Sequence, residues 1–150
     1  ISNWARPGKA SRHNLQYWRC DPYLGLGAGA HGYAAGIRTQ TVLRPEEYIA
    51  RIEAQAEPRP FPLTDAVVET EPIDRDTAMA ETMIMGLRLV REGVSPAAFE
   101  QRFGASLESV YGEAIAPLRA AGLLEAGDEG QLRLTRRGRL LGNQVFMAFI

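Results

Sequence analysis

The sequence holds a single cysteine, Cys20, among its 150 residues. A lone thiol can neither close an internal disulfide nor build a multi-cysteine metal site, and it fits a reducing, cytoplasmic compartment. Long hydrophobic runs are also missing. The longest candidate, residues 23–30, is short and broken by glycine, far below the roughly 20 apolar residues that span a bilayer. No stretch of these residues reads as a signal peptide. There is no internal repeat and no low-complexity tract. The chain begins with Ile1 rather than methionine. It begins inside a motif-dense stretch, which reads as truncation of a longer protein.

What is present is an ordinary globular balance, 45% hydrophobic and 23% charged. The length suffices for one domain with a real core, or for a small domain joined to a fragment of another. The net charge of −1 hides an asymmetry. Residues 1–44 carry six basic side chains against the single acid Asp21. Residues 45–113 carry fourteen acids against six arginines, and residues 114–150 five arginines against three acids. A basic head rich in glycine and aromatics points to an anionic ligand there.

The head shows no helical period. Residues 17–19 and 32–41 read as strands among loops. Pro45 reads as the first residue of a short helix over 46–53, with its acids in the first turn. Four prolines between 57 and 75 make a connector, with a short extended piece at 66–70. Beyond it, Asp74 or Asp76 caps a helix to about Arg91, with Met79, Met83, Leu87 and Val90 on one face. Ser95-Pro96 opens a second helix that stops at Gly104, and Ser106 caps a third that stops at Gly122. Pro117 inside the third predicts a kink or early break. Residues 123–134 read as a β-hairpin around a glycine-bounded turn, and Thr135 caps a last helix. Helix–helix–helix–hairpin–helix is the order of a winged-helix-like domain. The expected organisation is three segments, 1–44, 45–75 and 76–150.

The head contains Ile1-Ser2-Asn3-Trp4-Ala5-Arg6-Pro7-Gly8, then His13-Asn14-Leu15-Gln16-Tyr17-Trp18, then Asp21-Pro22-Tyr23-Leu24-Gly25-Leu26-Gly27-Ala28-Gly29-Ala30-His31-Gly32. The tail carries Met85-Gly86-Leu87-Arg88 and Leu134-Thr135-Arg136-Arg137-Gly138-Arg139-Leu140-Leu141. This succession resembles the oxygen-independent coproporphyrinogen III oxidase-like radical S-adenosylmethionine family, in its haem-chaperone branch. The resemblance implies an α+β chain: the C-terminal end of a partial (β/α) barrel over residues 1–44, then a mostly helical, winged-helix-like accessory domain. It implies a parent protein with a [4Fe–4S] cluster, S-adenosylmethionine and haem. The family's three-cysteine loop is absent here, so the chain by itself holds no cluster ligands and is expected to be catalytically inert.

The stretch His13-Asn14-Leu15-Gln16-Tyr17-Trp18 matches the family's HNxxYW motif, which implies haem binding by His13, Asn14, Tyr17 and Trp18, with His13 on the iron. The chemistry suits the residues. A neutral imidazole is a standard axial ligand, and aromatic rings offer flat faces to a porphyrin. Arg6, Lys9, Arg12 and Arg19 are placed in sequence to pair with propionates. The plainer alternative is that His13 and Asn14 hydrogen-bond a loop while Tyr17 and Trp18 fill core. Gly25, Gly27 and Gly29 let backbone approach a ligand closely. The resemblance puts them, with Ala30 and His31, at the adenosylmethionine end of the barrel, whereas the residues alone equally suit a tight loop closing a strand. Met79 and Met83 read as core rather than as a soft-metal site. Arg133, Arg136, Arg137 and Arg139 read as a solvated face or an interdomain contact.

Two function classes follow. The first is the C-terminal part of a haem chaperone, with an oxidative decarboxylase of coproporphyrinogen III as its close variant. Its expected partners are the missing N-terminal barrel half, haem or porphyrin, and haem-accepting proteins. The second is a winged-helix nucleic-acid-binding module. Glu108, Glu113 and Pro117 on the candidate recognition helix argue against phosphate contact there.

Overall fold

A computed structural model describes residues 4–150, and Ile1, Ser2 and Asn3 of the head motif lie outside the described residues. By compactness the chain divides into two units. One joins the described residues up to Cys20 with Arg75–Ile150, and the other is Asp21–Asp74. The sequence-based boundaries followed motif content, whereas compactness groups the first twenty residues with the C-terminal part.

In the first unit, α1 (Arg12–Trp18) occupies the stretch where a strand was expected at residues 17–19. Two local interactions account for the difference. Ser11 caps the helix by accepting the Asn14 N–H at 3.3 Å, and His13 and Tyr17 pair across one turn. Seven residues are too few to display a helical period, so sequence pattern does not reveal them.

α3 runs Arg75–Gly86, shorter than the expected extent to Arg91. The bonds Arg88 N–H to Met85 O and Leu89 N–H to Gly86 O are tighter i→i−3 links that wind it off. Gly86 permits a close approach, since a Cβ there would lie 2.8 Å from Val94 Cγ2. α4 (Pro96–Phe103) has Ser95 as cap, Pro96 in its first turn and Gly104 at φ +66°, as expected. α5 (Leu107–Ala120) is capped by Ser106 and continues through Pro117 without a break. That proline stands in the last turn and is exposed together with Glu113, whose carbonyl loses its helical donor and meets solvent instead.

β4 (Leu124–Ala126) and β5 (Leu132–Leu134) form the hairpin, in the register Leu124–Leu134. Val94 adds a rung to its outer side by exchanging both backbone bonds with Leu132, at 2.9 and 2.8 Å. Thr135 then caps α6 (Arg136–Leu140), followed by α7 (Gly142–Phe146) and a final 3₁₀ turn, Met147–Phe149. The winged-helix order is therefore present. Its core gathers Met79, Met83 and Leu87 from the α3 side, Phe99 and Ile115 from α4 and α5, Leu132 and Leu134 from the hairpin, and Val145 and Phe149 from the end. Full burial of such side chains stabilises by about 1.5–3 kcal/mol each, and it fixes Met79 and Met83 as packing residues.

The second unit is built on an antiparallel sheet of β1 (His31–Ala34), β2 (Ile37–Thr41) and β3 (Val67–Pro72), in the order β1-β2-β3. The single strand expected over residues 32–41 is a hairpin. Its two-residue turn is Ala35-Gly36, at φ +52° and +74°, the twist-matching geometry of a type I′ turn. Alanine at a left-handed position carries no turn signature, which is why the sequence concealed it. Tyr23 exchanges both backbone bonds with Tyr33 and extends β1 on its other side. α2 (Pro45–Ala54) begins with proline, as expected, and is braced by Glu47–Arg51 at 2.8 Å. Ala34, Thr41, Val42 and Ala66 are buried.

Candidate functional site

α1 carries all four residues of the HNxxYW stretch, and it divides them between two faces. His13 and Tyr17, four apart, turn to each other. The Tyr17 hydroxyl and His13 Nε2 are 2.9 Å apart, and the rings meet edge to face at 5.0 Å. Ser11, Asn14, Leu15 and Trp18 share the other face and line a cleft of about 1220 Å³. His13 and Asn14 are exposed, and Tyr17 and Trp18 are half-buried. No residue of α1 is fully buried, so neither Tyr17 nor Trp18 is core filler in the described residues.

The helix is fastened within its unit by its C-terminal end. Arg19 donates two hydrogen bonds to the Glu92 carboxylate, and Arg102 donates to the backbone carbonyls of Arg19 and Cys20, at 3.4 and 2.9 Å. Arg19 is therefore committed to Glu92, not held for a propionate. Glu92 and Arg102 were missed by the sequence reading. They stand 73 and 82–83 residues from their partners, and no local pattern signals such pairs.

The opposite wall of the cleft is formed by the turns after α3, the hairpin and α6–α7. Arg88, Arg91, Arg133 and Arg139 lie along it, against the acids Glu92 and Glu125. Arg133 and Arg139, expected from the sequence on a solvated face or an interdomain contact, both border the hollow that holds Asn14 and Trp18. Arg136 and Arg137 do not line it, and Arg137 instead bonds the Ala121 carbonyl at 3.3 Å.

In the second unit the glycine loop is explained by geometry. A Cβ at Gly25 would collide with the His31 carbonyl, and Gly27 and Gly29 lie at φ +99° and +69°. Thr41 clamps the loop. Its buried hydroxyl donates to Gly27 O at 2.7 Å and accepts from Ala30 N–H at 3.0 Å, while Gly29 N–H donates to Val42 O at 2.7 Å. The amides of Gly29 and Ala30 are thereby spent inside the fold. His31 is exposed on β1.

Among the described residues no group of three His, Cys, Asp or Glu is placed to hold a metal ion. A [4Fe–4S] cluster needs thiolates, and Cys20 is the one thiol in the chain, so these residues do not fit such a cluster. No helix among the described residues is long and apolar enough to cross a membrane.

Comparison with known proteins gives a consistent set of relatives. Residues 73–141 match the family model described as "HemN C-terminal domain". The whole chain is 39% identical over 150 residues to a Bacillus subtilis protein named "Heme chaperone HemW", of which it covers 37%. It is 36% identical over 150 residues to a Lactococcus lactis protein of the same name, of which it covers 36%. The chain thus spans about a third of the length of these relatives. Among solved structures, the coproporphyrinogen III oxidase HemN of Escherichia coli, titled a radical SAM enzyme, superposes with a TM-score of 0.55. That match is 21% identical and covers 86% of this chain and 28% of the other, a likeness of fold.

Proposed function

Because the chain belongs to the HemN/HemW family of coproporphyrinogen-oxidase-like radical S-adenosylmethionine proteins, as its C-terminal part, we propose that it serves a haem chaperone by contributing a haem-contacting helix and the accessory domain that carries it. The whole-length likeness to proteins named as haem chaperones supports this reading over oxidative decarboxylation. The observation that carries it is α1 itself. One seven-residue helix presents His13, Asn14, Tyr17 and Trp18, and Arg19–Glu92 and Arg102 pin it to the C-terminal unit. Haem contact and accessory domain are then a single structural element.

In the parent, the cluster and adenosylmethionine would supply radical chemistry, with the thiolates coming from outside these residues. The loop of Gly25, Gly27, Gly29, Ala30 and His31 is proposed for the adenosylmethionine side of the barrel that residues 1–44 would help complete. Close backbone approach, rather than the committed amides of Gly29 and Ala30, would be its contribution. Proposed partners are haem, the barrel half and a haem-accepting protein, in the cytoplasm. For His13 to reach iron, Nε2 must first give up the Tyr17 hydroxyl.

Haemin titration tests the reading. The chain is expected to bind it saturably, one to one, with a shifted Soret band, and a variant carrying Asn14→Ala and Trp18→Ala is expected to bind at least tenfold more weakly. Unsaturable or absent binding by the unaltered chain would overturn it.

A further inference from the structure

The cleft beside α1 has a chemical polarity of its own. One wall offers an indole, Trp18, with Leu15 and the amide of Asn14, and the other offers guanidinium groups. Its volume of about 1220 Å³ exceeds the roughly 300–1,000 Å³ usual for small-ligand pockets, so it has room for a large molecule. The lining charge is strongly positive, and one of its two acids, Glu92, is already taken by Arg19.

Arg133 is the distinctive member. Its Nε is buried without a hydrogen-bond partner, and its contact with Glu125 is a loose ion pair at 3.7 Å, too long for a hydrogen bond. Its position is prepared by two glycines. A Cβ at Gly93 would lie 2.7 Å from Arg133 Cγ, and one at Gly127 would lie 2.8 Å from Nε. Backbone has been cleared along the stem and under the head of this side chain. With Nε packed away, the terminal guanidinium nitrogens, held to Glu125 only loosely, are the donors left to meet a carboxylate bidentately. Arg88 stands along the same wall with its guanidinium stacked 4.6 Å above the Phe146 ring, and Arg139 is exposed at the rim.

We propose that this cleft binds a tetrapyrrole by its carboxylate edge, with Arg133 as the principal anchor, Arg88 and Arg139 beside it, and Trp18 as the stacking face. The proposal rests on the haem reading above and narrows it. The porphyrin lies on the Asn14–Trp18 face of α1, which His13 does not share, so its carboxylate edge is held without His13. Recognition is by the dicarboxylate and the ring, not by iron.

The test uses the full chain with three probes: haemin, iron-free protoporphyrin IX, and haemin dimethyl ester, in which both carboxylates are blocked. Affinity is read from Trp fluorescence quenching and the Soret band. The two free acids are expected to bind with similar affinity, and the ester at least tenfold more weakly. R133Q is expected to weaken both free acids about tenfold and to leave the ester unchanged, while R136Q, outside the cleft, matches the unaltered chain. Equal affinity for acid and ester, or free-acid binding by R133Q and R139Q equal to that of the unaltered chain, overturns the carboxylate anchor while leaving haem binding intact. Loss of affinity in H13A for haemin but not for protoporphyrin IX moves the site to the His13 face and overturns the cleft assignment. Failure of the unaltered chain to bind any probe overturns the haem reading and this proposal together. Should R133Q lose its fold by circular dichroism, R139Q and the ester comparison, which needs no substitution, decide the matter.

Discussion

The Arg19 guanidinium grips the Glu92 carboxylate through two hydrogen bonds, Nε to Oε2 at 3.0 Å and Nη2 to Oε1 at 2.9 Å. Both side chains are about half exposed, so solvent screens the pair and its worth is about 0.2–1 kcal/mol. Its consequence is local. α1 has no buried residue and depends on its end for anchorage. Glu92→Gln is expected to lower the melting temperature by no more than a few degrees while accelerating hydrogen exchange at the amides of α1. Arg102→Ala, which strips donors from the Arg19 and Cys20 carbonyls, is expected to act in the same direction. Exchange rates in α1 unchanged by both substitutions would show that the helix is held by something else.

Thr41 makes a stronger prediction for the second unit. Its hydroxyl serves Gly27 O and Ala30 N–H at once, in a buried position. Thr41→Val keeps the shape and removes both bonds, leaving Ala30 N–H and Gly27 O only their long contact with each other at 3.4 Å, at a cost of about 1–3 kcal/mol. Thr41→Ser restores the hydroxyl and is expected to recover most of the loss. Urea denaturation of the three forms separates the hydroxyl from the methyl group, and a valine form as stable as the natural one would deny the clamp.

Two glycines of the winged-helix-like unit allow no side chain. A Cβ at Gly138 would collide with the Leu123 carbonyl, and one at Gly93, which also has φ +62°, with the Leu132 carbonyl. These are the places where α6 and the turn after α3 press against hairpin backbone. Gly138→Ala and Gly93→Ala are each expected to destabilise by about 2 kcal/mol or more, the range of close-packing and backbone-strain losses. Gly104→Ala is the control. It shares a positive φ but would meet nothing within 4 Å, so it pays only for the left-handed backbone. Equal losses at Gly93 and Gly104 would mean that strain, not contact, sets the cost at Gly93, while a Gly138 form as stable as the natural chain would deny the contact at α6, where φ is not positive.

Which parts of this molecule the sequence disclosed follows from where the signal resides. Ser95-Pro96, Ser106 and Thr135 announce helix starts because a cap is a local event, and Gly104 and Gly122 announce stops for the same reason. The face of Met79 and Met83, continued by Leu87 just past the end of α3, is legible because the helix is long enough to repeat, whereas Val90, expected on that face, lies beyond the helix and outside the core. α1 was not, being shorter than two full turns, and the Ala35-Gly36 turn was not, because alanine at φ +52° carries no marker. The motif at 13–18 falls on one helix, where strand and loop were expected, and its spacing alone did not divide it between faces. Only helical geometry separates Asn14 and Trp18 from His13 and Tyr17. Arg133 could be counted but not placed, since its setting depends on Gly93 and Gly127 coming together through the fold.

Alkaline pH offers a last test, at Tyr111. Its ring packs edge-on against Phe149 at 5.3 Å and near Phe99 at 6.1 Å. Burial, and secondarily the negative charge of Asp76, push its phenol above the ordinary 10.0. The folded state therefore favours the neutral phenol more than the unfolded chain does. That contribution is complete below the unfolded value of about 10 and disappears as pH rises through the higher folded one. Stability is expected to hold between about pH 8 and the unfolded value near 10 and to fall beyond it as the unfolded chain ionises first. Tyr111→Phe is expected to flatten that fall and leave stability at neutral pH nearly unchanged. Asp76→Asn should relieve it less, because desolvation is the larger cause. Denaturant midpoints across the range decide it, and a phenylalanine form with the same alkaline fall as the natural chain would assign the effect to another group.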